Sequence, residues 1–103
     1  MANYDIDSSY IIKTLKENTN ELKRFSIKRI GLFGSFVHGL QNENSDIDLL
    51  VEFKEPTLKN FINLTEFLES LFKRKIEIVT PDGIESIRIK KIKEDIKRSI
   101  VYV

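Results

Sequence analysis

The chain has 103 residues, no cysteine and a formal net charge of +1, from 17 Lys plus Arg against 16 Asp plus Glu. That length predicts a single domain over 1–103, able to bury roughly 65% of its unfolded surface without staples. The missing cysteines exclude disulfides and thiolate metal sites, and the balanced charge argues against nucleic-acid binding by bulk electrostatics.

The N-terminal residues show no basic and apolar pair of regions, so no secretory signal is expected. No apolar run approaches the roughly 20 residues of a membrane span. With the absent cysteines, this points to a cytoplasmic protein with no membrane partner. Charged residues make up 32% of the chain. That fits composition bias or a heat-adapted source equally well.

Ile11, Leu15, Leu22 and Phe25 recur at helical spacing, with Asn18 interrupting the stripe, and predict an amphipathic helix over 8–24 capped by Ser8 or Ser9. The segment 27–33, rich in Ile, Leu and Phe and ending at Gly34, reads as a strand. A short segment, 35–38, and a polar loop, 40–45, follow. Residues 46–53 form a second strand, which Pro56 ends. Phe61, Leu64, Leu68 and Leu71 define a helix over 57–72. Residues 75–80 form a third strand, and Pro81-Asp82-Gly83 a turn. Ile89, Ile92, Ile96 and Ile100 mark one face of a last helix starting near Ile84. The expected architecture is α/β or α+β: a small mixed sheet flanked by helices.

Three features carry chemistry. Gly34-Ser35 at a strand end offers free backbone N–H groups and a hydroxyl, which suits phosphate; equally, it is an ordinary turn with a helix cap. Asp46 and Asp48, two apart in a strand, share one face, while Ile47, Leu49 and Val51 share the other. Paired carboxylates repel, and a divalent cation relieves that repulsion; the alternative is a solvated acidic strand end. Glu77 faces the same side as the aspartates if Ile76 and Ile78 face the core; the alternative is an exposed carboxylate paired with Arg74 or Lys75.

Together, Gly34-Ser35, ten intervening residues, Asp46-Ile47-Asp48 and the later Glu77 resemble the signature of the nucleotidyltransferase superfamily that includes the polymerase-β-like enzymes. The stretches 34–39, 45–51 and 75–81 are similar to its minimal branch. The resemblance implies a nucleotidyltransferase fold, with ATP as substrate and Mg²⁺ or Mn²⁺ as cofactor. Gly34 and Ser35 would bind the nucleotide phosphates, and Asp46, Asp48 and Glu77 would be catalytic and metal-ligating. Two positions depart from the family pattern: His38, where Arg or Lys is usual, and Glu77, where Asp is frequent.

The minimal branch includes antitoxins that transfer AMP to a tyrosine of a HEPN-class toxin ribonuclease. That activity, with the toxin as partner in an oligomer, is the expected function, because a chain this short leaves little to enclose an acceptor. Two other readings are a subunit of a transferase acting on a small molecule such as an antibiotic, and a non-catalytic antitoxin that masks its toxin. Ser35 and His38 do not make a hydrolase, since the Gly-x-Ser-x-Gly elbow is absent. One histidine without cysteine does not make a zinc site. The basic run Arg88, Lys90, Lys91, Lys93, Lys97 and Arg98 reads first as the solvated side of a helix and second as a partner or RNA surface.

Overall fold

Apolar residues alternate along the central strands, and this decides which side of the sheet each side chain occupies. The computed structural model describes residues 6–103. Among these, β1 (Ile27–Phe33), β2 (Ile47–Phe53), β3 (Ile76–Val79) and β4 (Val101–Tyr102) form one sheet in the order β3-β2-β1-β4. β1 is antiparallel to β2 and β4, and β2 is parallel to β3. A parallel pair needs a crossover, here supplied by α3 (Leu58–Phe72). Thr57 caps that helix, accepting from the Asn60 N–H at 3.1 Å.

On one face, Ile30, Leu32, Ile47, Leu49, Val51 and Ile76 pack against Leu64, Leu68 and Phe72 of α3 and against Ile11 and Leu15 of α1 (Ser8–Glu17). On the other, Phe33 and Leu50 meet Ile84 of α4 (Pro81–Glu85) and Ile96 and Ile100 around the end of α5 (Lys90–Ser99). Gly31 allows this second cover to close. A Cβ there would lie 2.6 Å from Ile100 Cγ2 and 3.0 Å from the Tyr102 ring. The cover leaves Asp48 half-buried and Glu77 exposed on the same face.

The expected mixed sheet flanked by helices is present, with four differences. First, the helix expected over 8–24 breaks at Asn18. The Asn18 side chain donates to Thr14 O at 2.8 Å, a local bond that competes with helix continuation. The chain resumes as the short helix α2 (Thr19–Leu22) and a 3₁₀ turn, Lys23–Phe25. Asp7, rather than Ser8 or Ser9, caps α1, accepting from Tyr10 N at 2.9 Å. Second, Pro81-Asp82-Gly83 is not a separate turn between elements but the first turn of α4. Thr80 accepts from Gly83 N at 3.2 Å, and Pro81 stands where a missing N–H costs nothing. Third, the last helical region is two helices, and only the later part of its Ile stripe meets the sheet: Ile89 and Ile92 are exposed. Fourth, β4 has no counterpart in the expected elements, because two residues carry no period.

Candidate active site

The strand register brings the acidic residues to the turn that follows β1. Phe33 pairs with Asp48, and Asp48 pairs with Glu77. Three adjacent strands thus place the start of that turn, one aspartate and one glutamate in a single row. Asp46 lies two residues before Asp48, just ahead of the first residue of β2, near enough for its charge to act on Asp48. Ile47, Leu49 and Val51 are fully buried on the side opposite Asp48 and anchor its orientation.

Gly34–Phe36 forms a 3₁₀ turn, held by Val37 N donating to Gly34 O at 3.1 Å and Leu40 N to Ser35 O at 3.0 Å. Phe36, 1% exposed, pins the turn into the core. Gly34 has φ +83°, and a Cβ on it would run into the Asp48 carboxylate. Both facts require glycine: the left-handed region penalises side chains, and the carboxylate occupies the space one would fill. Ser35 follows directly and is partly exposed, while His38 is exposed beyond the turn.

Burial, then the charges of Glu77 and Asp46, then a side-chain hydrogen bond with Glu77, push the Asp48 carboxyl up from about 3.8 to about 6. This is the behaviour of carboxylates crowded together without a counter-charge. The donor set therefore suits a divalent cation. Among the described residues no group of three or more Asp, Glu or His side chains is gathered into a ready metal cage. Mg²⁺ does not require one, since it binds through one or two carboxylates with substrate phosphates and water.

Arg74 reaches back to the loop that precedes β2. Its Nη1 donates to the carbonyls of Ser45 at 2.7 Å, Asn42 at 3.0 Å and Glu43 at 3.3 Å. A surface hollow of about 550 Å³ on α1, lined among the described residues by Ser9, Ile12, Lys13, Lys16 and Glu17, lies apart from this row.

A model of the nucleotidyltransferase domain matches residues 11–103. The chain belongs to the nucleotidyltransferase domain family. As a nucleotidyltransferase it is similar to the protein adenylyltransferase MntA of Thermococcus cleftensis, at 40% identity over 86% of this chain and 88% of the relative. A solved structure described as a candidate minimal nucleotidyltransferase superposes with a TM-score of 0.71 at 27% identity, covering 93% of this chain and 95% of that one. A toxin-antitoxin structure with AMP-PNP superposes with a TM-score of 0.52 at 28% identity, over 80% of this chain and 60% of that one. No helix of the described residues is long and apolar enough to cross a membrane.

Proposed function

We propose that this nucleotidyltransferase transfers AMP from ATP to a hydroxyl of a partner protein, a tyrosine of a HEPN-class toxin, and so acts as an antitoxin. The observation that carries the reading is the row of β1 turn, Asp48 and Glu77 on neighbouring strands, with Gly34 pressed against the Asp48 carboxylate. Similarity to a named protein adenylyltransferase and to a toxin-antitoxin structure with an ATP analogue supports a protein acceptor and a toxin partner.

Asp46 and Asp48, with Glu77 beside them, would hold Mg²⁺ or Mn²⁺, which when bound stabilises charge on both oxygens of an in-line displacement. The Gly34-Ser35 turn binds the β and γ phosphates through backbone N–H groups and the Ser35 hydroxyl. Glu77, exposed on the open side, accepts the proton of the attacking hydroxyl. A tyrosine with a pKa of about 10 needs such a base near neutral pH. The acceptor oxygen bonds to the α-phosphorus, the bond from that phosphorus to the bridging oxygen breaks, and pyrophosphate leaves with the electron pair.

The test is intact-mass measurement of the partner toxin after mixing with this protein, ATP and Mg²⁺. The partner gains one or more AMP units, and the gain vanishes when its acceptor tyrosine is changed to phenylalanine. A partner that binds tightly, stays unmodified and is still inhibited by the Asp46→Asn variant would establish masking instead.

A further inference from the structure

Asp46 and Asp48 are held in different ways. Asp48 is locked in the sheet between Phe33 and Glu77. Asp46 stands outside the ladder, since the bonding of β2 to the β3 side begins with Ile47 N donating to Lys75 O at 3.0 Å. Its orientation therefore depends on the loop before it.

That loop is a turn closed on itself. Ser45 N donates to Asn42 O at 3.1 Å, Asn42 N to Ser45 Oγ at 2.9 Å, and Asn44 N to Asn42 Oδ1 at 2.8 Å. Arg74 reaches it from the chain leading into β3, its Nη1 fanning across the three carbonyls of Asn42, Glu43 and Ser45. The shortest of these bonds, 2.7 Å, is to Ser45 O. That oxygen belongs to the peptide group whose nitrogen is that of Asp46. The guanidinium also lies 5.4 Å from the centre of the Phe36 ring, in the turn that holds Gly34 and Ser35. One planar cation thus touches the peptide before Asp46 and the turn beside Asp48, and it sits three residues from Glu77.

We infer that Arg74 is a positioning residue that fixes the Asp46 carboxylate, and with it the cation site, by clamping the 42–45 turn. The inference rests on the reading of Asp46 as a cation ligand. Lysine at this position keeps the charge but loses the planar fork and its fit over an aromatic ring. Groups that orient a metal ligand are typically worth 10–100-fold in metal affinity.

The experiment measures Mn²⁺·ATP binding by electron paramagnetic resonance for wild type, Arg74→Gln, Arg74→Lys, Asp46→Asn and the double variant Asp46→Asn/Arg74→Gln, each with its melting curve. Arg74→Gln is expected to weaken binding by roughly 10–100-fold at temperatures well below its melting transition, with Arg74→Lys intermediate. If Arg74 acts through Asp46, adding Arg74→Gln to Asp46→Asn costs little more, as expected for two members of one network. Wild-type affinity in Arg74→Gln together with a loss in Asp46→Asn would overturn the inference. So would a loss confined to temperatures near each variant's melting transition, or fully additive losses in the double variant. A wild type that binds no Mn²⁺·ATP, or an Asp46→Asn variant that binds as wild type does, would instead overturn the underlying reading of Asp46. Should Arg74→Gln fail to fold, Arg74→Lys carries the same comparison.

Discussion

With its carboxyl at about 6 in the folded protein against about 3.8 ordinarily, Asp48 opposes folding at neutral pH. Below 3.8 it is protonated in both states and has no effect. As pH rises through the window from 3.8 to about 6, the unfolded chain releases its proton more readily, and metal-free stability falls. Asp48→Asn removes this loss. Without metal, its melting temperature should exceed that of wild type at pH 7 by an amount worth about 1 kcal/mol, a value discounted because the site is open to solvent. The gain should fade towards pH 4. Thermal melts in EDTA across that range check it, and a gain that is independent of pH would refute the crowding of carboxylates.

Glu77 makes a different demand. A group that takes a proton from the acceptor matters most in the transition state, so Glu77→Gln should lower the rate more than nucleotide affinity. Calorimetric ATP binding set against single-turnover transfer separates these. Equal losses would make Glu77 a nucleotide-side ligand only, and no loss in either would make it an ordinary surface carboxylate.

At the scale of elements, the second cover of the sheet divides the Ile stripe of the C-terminal region. Ile96 and Ile100 pack on Phe33, Leu50 and Ile84, whereas Ile89 is 60% and Ile92 47% exposed. Ile89→Lys and Ile92→Lys should each shift stability by no more than about 0.5 kcal/mol, and Ile96→Ala should cost about 2 kcal/mol. Urea unfolding at matched pH measures this. Equal costs at Ile89 and Ile96 would mean that the sheet is covered differently.

The alternation along β2 was enough to place Asp48 on the face away from Ile47, Leu49 and Val51, and that along β3 to place Glu77 beside it, whereas Asp46 lies ahead of the strand, where alternation does not decide its direction. Periodicity names a helix face but not how much sheet lies beneath it, which is why Ile89 and Ile92 read as one face with Ile96 and Ile100 although they are exposed. Nor does it locate an arginine among basic neighbours. Lys73, Arg74 and Lys75 look alike in sequence, and only the folded 42–45 turn distinguishes Arg74 from the residues beside it.

Across the whole molecule, the formal charge is nearly balanced, at +1. Within the basic C-terminal run, Lys97 and Lys93 pair with Glu85 at 2.8 and 3.8 Å, and Arg98 pairs with Asp95 at 2.8 Å. Those pairs agree with the solvated-face reading of the run. At the acidic row beside the β1 turn, by contrast, like charges are pressed together at Asp48. The crossover through α3 brings β3, and so Glu77, alongside β2. Nucleotide chemistry at that row is the central claim, and it is independent of which acceptor the protein uses. The most direct measurement is transfer of label from α-labelled ATP to the acceptor by wild type, Asp46→Asn and Asp48→Asn, with circular dichroism on each. Both variants should remain folded and lose transfer by at least roughly 100-fold; transfer at the wild-type rate by either variant would contradict the account.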